Sequence, residues 1–474
     1  MSTLVGLLIR LGLVVASLFL VSSAIGAERS RDPSVALEAA GLPVPASLRP
    51  QIEFWKKIFA TYGDNEVVIH DSEDLGRVYR VLDFNDLAGV GLGPGEMQKV
   101  REEGVAAEMA YVRNALVRVH DAAGDPSSLS EDERRLQRLF RNAPPGAILA
   151  AAQKDRIRSQ RGIRERFGRG VGVSRRYLAD LERIFREEGV PEQVTRLSLV
   201  ESCFNVQAYS KVGAAGVWQF MPATGRLFMR VDDRIDERRD PLIAGRAAAR
   251  FLRRNYERLG AWPLAITAYN HGPNGIAKAV DTMGTRDIST IIRSYRGPLF
   301  GFASRNFYPE FLAAVEVDYR YREYFPDISV HRPVPTEMVE FPHAIKLSTA
   351  QAVTGLNRDA LVDLNPSLGE AIRANTAPIP SGYRLRVPAG AADEARLRFA
   401  RMAPEPVSER QQVAKATKKR APKGSAYVVH KVKKGQTLTQ IARRYGTTVQ
   451  AIKIANRIGR NGIRAGQALR VPRG

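Results

Sequence analysis

Glu201 stands in the segment PEQVTRLSLVESCF, Pro191 to Phe204. On a helical wheel Leu197, Val200, Cys203 and Phe204 form one apolar stripe, with Val194 at its edge, and Glu201 falls on the same side. Charge on an apolar helix face is costly, because desolvation disfavours the ionised form. The same desolvation raises the carboxyl pKa, which is how such a group stays protonated near neutral pH and serves as a general acid. Taken alone, a glutamate snorkelling at the stripe edge or paired with an arginine explains the pattern as well.

The surroundings favour the chemical reading. VGAAGVWQFMPATG, Val212 to Gly225, offers Gly213 and Gly216 for a tight backbone turn. Trp218, Phe220 and Met221 supply an apolar wall, and Gln219 an amide able to bind a neutral hydroxyl or acetamido group. LAITAYNHGPNG, Leu264 to Gly275, sets Tyr269 and Asn270 at a helix end beside a Gly-Pro break. Stacking faces and neutral hydrogen-bonding groups are what a sugar-binding groove needs.

Several elements must position these residues. Residues 175–324 read as strongly helical: Gly189-Val190-Pro191 separates two helices, Asp240-Pro241 starts another, and Gly260 closes it. Residues 28–150 read as a mainly helical region of unknown role. Its helices are expected at Ile52–Gly63 and Pro94–Arg118, and its short strands at Val67–Ile69 and Val78–Leu82. Two later stretches, 338–390 and 427–474, look like diverged copies of one small module. Leu347, Gly355 and Asn365 repeat as Leu438, Gly446 and Asn456, and the copies end in LRVPAG and LRVPRG. Residues 391–426 read as a basic flexible linker.

The chain has 474 residues, 72 Lys and Arg against 50 Asp and Glu, and a net charge of +22. Sixteen of the basic residues and no acidic one fall in residues 411–474, so the C-terminal part is expected to meet an anionic partner. One cysteine cannot form an internal disulfide, and no Cys/His cluster has zinc-ligand spacing, so no metal or cofactor is expected. Residues 1–27 have the layout of a secretory signal peptide, with an apolar run from Leu11 to Val21 and cleavage after Ala24 or Ala27. A retained anchor is the other reading. No cysteine stands near the cleavage region to accept a lipid. Export weakens the nucleic-acid reading that the charge alone suggests.

Glu201-Ser202, then Gly213-Ala214 and Gly216-Val217-Trp218-Gln219-Phe220, then Ala268-Tyr269-Asn270 with Gly272, resemble the successive motifs of the family 1 lytic transglycosylases. The wider pattern resembles most the membrane-bound lytic murein transglycosylase D group. Residues 427–474 resemble a LysM module, and 338–390 a degenerate copy. The resemblance implies a multidomain fold: a mainly α, lysozyme-like (α+β) catalytic domain over 151–330, plus small βααβ modules. It implies a peptidoglycan lyase that cuts the MurNAc–GlcNAc β-1,4 bond without water and leaves 1,6-anhydro-MurNAc ends. Glu201 would be catalytic. Ser210 and Tyr308 would orient it, and Gln219, Tyr269 and Asn270 would hold the sugar. Glu310 and Glu316 are expected to be structural rather than a second acid. Peptidoglycan glycan strands are the expected partner and the cell envelope or periplasm the expected place, with membrane proximity and oligomeric state open and no nucleic acid. The competing readings are a hydrolytic muramidase of the same fold and a non-catalytic peptidoglycan-binding scaffold.

Overall fold

Ile52, Phe54, Trp55, Ile58 and Phe59 are all buried, and their spacing makes residues 49–60 an amphipathic helix with Pro50 in its first turn. The computed structural model that shows this describes residues 33–402, apart from 90, 92, 123 and 124. It also describes residues 427–472, apart from 434, 446, 448, 457 and 459–462. The leader expected over 1–27 and the linker beyond residue 402 lie outside the described residues. Two units divide the chain, one ending at Arg401 and the other beginning at Met402.

In the first unit, α1 (Pro33–Ala39) and α2 (Arg49–Ala60) lead into β1 (Glu66–Asp71) and β2 (Val78–Asp83). The long helix α3 (Pro94–Asp121), α4 (Glu131–Arg138) and α5 (Ala147–Ala151) follow, and β3 (Ile157–Arg161) completes an antiparallel sheet of order β2-β1-β3. One small core joins the sheet to these helices through Ile69, Tyr79, Val112, Leu116, Leu136 and Ile157. The boundary expected at residue 150 is therefore corrected: β3 lies beyond it and pairs with β1 from Val67↔Arg161 to Asp71↔Ile157.

Next come α6 (Arg164–Ser174), α7 (Leu178–Glu187), α8 (Leu197–Ser202) and the short α9 (Pro222–Gly225). Helices α10 (Pro241–Leu259), α11 (Trp262–His271), α12 (Pro273–Met283), α13 (Ile288–Ser294), α14 (Phe302–Tyr319) and the one-turn α15 (Tyr321–Tyr324) complete the main helical part. Asp240 caps α10 by accepting from the backbone N–H of Leu242 and Ile243, and Gly260 ends it at φ 76°. The N-terminal helices belong to this same core. Trp55 Nε1 donates to Asn306 Oδ1 at 3.1 Å, Lys56 pairs with Glu316 at 2.6 Å, and Glu73 pairs with Arg305. So residues 33–161 grip α14 along its length.

The module after this core has β4 (Thr336–Val339), α16 (Leu347–Thr354), α17 (Arg358–Leu364), α18 (Glu370–Arg373) and β5 (Leu385–Pro388), with β4 and β5 antiparallel. The linker expected from 391 begins later than the sequence suggests. Residues 392–401 form α19 (Ala392–Arg401), which buries Ala392 and Ala395 in the core of the module. The module is also docked on the main helical part. Arg386 donates to Asp240 Oδ2 at 2.7 Å, with side chains 8% and 4% exposed, and Ile235 packs in the core of the module. Asp236 N donates to Ser367 O at 2.8 Å and Gly369 N to Arg234 O at 2.7 Å; a Cβ at Gly369 would lie 2.6 Å from Asp233 O.

The second unit has β6 (Tyr427–Lys431), α20 (Leu438–Arg444), α21 (Val449–Asn456) and β7 (Ala468–Pro472), with the strands antiparallel. The repeated asparagine explains the likeness of the two copies. Asn365 donates to Leu361 O and Arg386 O and accepts from Arg386 N; Asn456 donates to Ile452 O and Arg470 O and accepts from Arg470 N. In each, one amide fastens the second helix to the last strand.

Candidate active site

Helix α8 is short and enters through a 3₁₀ turn, Glu192–Arg196. Its start is held by a buried ion network. Arg196 donates to Asp318 Oδ2 at 2.9 Å and to Glu182, and Arg175 donates to Asp318 Oδ1 at 2.7 Å. Asp318 is on α14, so the network fixes α8 against that helix. The other end stops abruptly, with Cys203 and Phe204 in the left-handed region at φ 49° and 51°. The stripe read from the sequence is corrected here: Cys203 is a C-cap and Phe204 turns back into the core, so neither lies on the helix. Burial pushes the Cys203 thiol up to about 11, which leaves it an inert thiol at neutral pH.

Glu201 sits in the last turn of α8 and keeps a window of accessible surface. Desolvation raises its carboxyl from 4.5 to about 8. Ser202 fixes the turn: its Oγ donates to Val217 O at 3.0 Å and accepts from Asn205 N at 3.2 Å. It thereby ties the helix end to the loop that carries Gln219.

That loop is built on close backbone approach. A Cβ at Gly216, where φ is 73°, would lie 1.9 Å from Arg238 O. The buried Arg238 guanidinium donates to Gly213 O at 2.7 Å and to Phe220 O at 2.9 Å, clamping both ends of the turn. Ser210 serves the same loop, accepting from Ala214 N at 2.9 Å; no hydrogen bond joins it to Glu201 among the described residues. Gln219 sits at φ 47° with Nε2 donating to Gly216 O at 2.9 Å. Trp218 is corrected from groove wall to core. It is fully buried, stacks on Phe185 at 5.3 Å between ring centroids, and donates to Pro241 O.

Tyr269 lies near enough to Glu201 to feel its charge. Its hydroxyl donates to Trp218 O at 2.9 Å, and burial with the nearby Glu201 charge raises its pKa well above 10. Asn270 is exposed beside it and accepts from Ser304 Oγ at 3.4 Å, and that hydroxyl also bonds His271 Nδ1 at 2.9 Å. Tyr308 is not placed to orient Glu201. It is fully buried and its hydroxyl donates to Pro43 O at 2.7 Å, fastening α14 to the N-terminal segment.

Glu310, on α14, was expected to be structural. Burial and the Glu201 charge raise its carboxyl to about 8. It makes no hydrogen bond or ion pair among the described residues. Glu316, on the same helix, is structural as expected and pairs with Lys56. Glu310 is therefore a second desolvated carboxyl group, on α14, and it feels the Glu201 charge.

Residues 182–292 match the family model of the transglycosylase SLT domain, and residues 430–472 that of the LysM domain. The chain is thus multidomain: a mainly helical segment matches the SLT domain, and a later segment with small strands matches the LysM domain. Among curated proteins it is homologous to membrane-bound lytic murein transglycosylase D of Escherichia coli strain K12. The two are 26% identical over 294 residues, which is 61% of this chain and 62% of that protein. The chain thus spans less than two thirds of the length of the curated relative. Among solved structures it shares 22% identity with the 70 kDa soluble lytic transglycosylase of Escherichia coli, over 33% of this chain and 26% of that one, at a TM-score of 0.26. An inactive variant of the lytic transglycosylase Slt from Pseudomonas aeruginosa gives 21% identity over 43% and 33% of the chains, at 0.25.

Proposed function

We propose that the chain is a peptidoglycan lytic transglycosylase in which Glu201 acts first as general acid and then as general base. One observation carries the reading: a carboxyl group within the matched SLT segment that burial keeps protonated up to about pH 8. Protonated Glu201 donates to the glycosidic oxygen between MurNAc and GlcNAc as the β-1,4 bond breaks. The muramyl 2-acetamido group stabilises the positive sugar. Ionised Glu201 then takes the C6 hydroxyl proton, and O6 attacks C1 to close the 1,6-anhydro ring. No water is consumed, and Glu201 ends protonated. Gln219, Tyr269 and Asn270 hold the sugar, and Ser210 supports the loop that carries Gln219. The LysM domain holds the enzyme to the cell wall. Residues 1–27 direct export to the envelope, where the relative's name, membrane-bound, fits the same place.

A hydrolytic muramidase has one observation in its favour. Glu310 gives Glu201 the second carboxyl partner that water-using glycosidases employ. Mass spectrometry of digested sacculi separates the two readings. Anhydro-MurNAc ends are expected; reducing, hydrated ends would replace the lyase by a hydrolase.

A further inference from the structure

The docked module at residues 336–401 does more than follow the catalytic part: it closes one side of a cavity that reaches Glu201. The cavity holds about 670 Å³. Glu201 and the loop Ser202–Gln207 line one side, α6 lines another, and Asp363 and Pro366 of the module face them. A volume of this size takes a ligand of several residues rather than a single ion. The wall is well fixed. Arg176 donates to Asp363 Oδ2 at 2.8 Å, and the buried Arg386–Asp240 pair holds the module in place. Tyr177 stacks on Phe204 at 5.8 Å between centroids and gives the cavity an aromatic side.

The charge of the cavity is what a neutral sugar would not need. Arg166 and Arg169 lie one turn apart on α6, with side chains 46% and 68% exposed. Both ion-pair with one acid, Asp64, at 3.2 and 3.9 Å, so the two guanidiniums share a single carboxylate. Guanidinium forks suit carboxylates in planar, bidentate geometry. Val173, Val200 and Pro366 add apolar surface for short side chains.

We propose that this cavity, shared by the catalytic part and the docked module, is a subsite for the carboxylate-bearing peptide carried by the muramyl residue next to the cleaved bond, with Arg166 and Arg169 as its anion-binding groups. The inference rests on the lytic transglycosylase reading, since Glu201 lines the cavity and fixes which sugar lies beside it.

The test compares kcat/KM of the full chain on peptide-bearing glycan strands and on strands freed of peptide, which keep only the muramyl lactyl carboxylate. Wild type should prefer the peptide-bearing strand roughly tenfold, with the difference in KM. The preference should fall to near one in Arg166→Ala/Arg169→Ala and to an intermediate ratio in Arg169→Ala, whose side chain is largely exposed. Arg293→Ala, exposed on α13 and away from the cavity, should keep the wild-type ratio. No preference in wild type would overturn the proposal, as would an unchanged preference in the double variant, which would assign recognition elsewhere. Wild type inert on both strands would overturn the enzymatic reading itself, a result distinct from turnover without preference.

Discussion

Glu201 and Glu310 are two carboxyl groups whose ordinary value of 4.5 is raised to about 8. A carboxyl raised in the fold binds more protons folded than unfolded between those values, so it costs stability as pH rises from 4.5 to 8. Glu201→Gln should therefore gain stability over wild type between pH 5 and 8.5, by on the order of 2 kcal/mol at the upper end. Urea melts at both pH values check this; a constant difference would mean that Glu201 is not desolvated. Because burial alone raises Glu201, the alkaline limb of kcat/KM should lie near pH 8 in wild type and stay there in Glu310→Gln; a large shift of that limb in the variant would mean that Glu310 sets the Glu201 value. Glu201 was legible in the sequence because it stands on a short apolar run. Glu310 was named but read as structural, because almost all of α14 around it is buried and no polar face marks it out. Trp218 misled for a simple reason: a tryptophan beside a glutamine reads equally as platform or as core.

Among the elements, α8 has too few residues to hold its own direction, and its alignment comes from Asp318 on α14 with Arg175 and Arg196. Asp318→Ala leaves two arginines without their shared acid, one of them Arg196 at 9% exposure. The loss should be about 3–5 kcal/mol, read as a lower midpoint in chemical denaturation. Activity measured well below that midpoint should fall as well, because α8 carries Glu201. Helix starts and stops were legible where chemistry is local, as at Asp240-Pro241 and Gly260. The end of α8 was not, because nothing in Ser202-Cys203-Phe204 announces two successive left-handed residues. Their turn is imposed by the packing of Cys203 O against Gly170, where a Cβ would lie 2.1 Å away. Tyr308 shows the same limit, since its partner Pro43 lies far off in the chain.

For the whole molecule, the repeat of two strand–helix–helix–strand copies was legible from the spacing of Leu, Gly and Asn, and the shared Asn bonds give its physical reason; the extra one-turn helix α18 of the first copy was not. What the sequence did not disclose is that the copies differ in use. The first is bound to the main helical part through Arg386 and Asp240, a pair that no local pattern connects. The second lies in the unit that begins at Met402, where the chain carries its excess of positive charge. Binding of the full chain to sacculi, compared with a chain ending at residue 402, should show a contribution from residues 403–474 that weakens between 50 mM and 500 mM salt. A contribution unchanged by salt would assign the attachment to neutral sugar contacts instead. No described helix is long and apolar enough to cross a membrane.

One desolvated carboxyl group, Glu201, is proposed to cleave the glycan. Release of soluble muropeptides from purified sacculi by wild type and by folded Glu201→Gln tests it most directly. A fall of about a thousandfold or more is expected in the variant, with sacculus binding kept. Undiminished release by Glu201→Gln would contradict it.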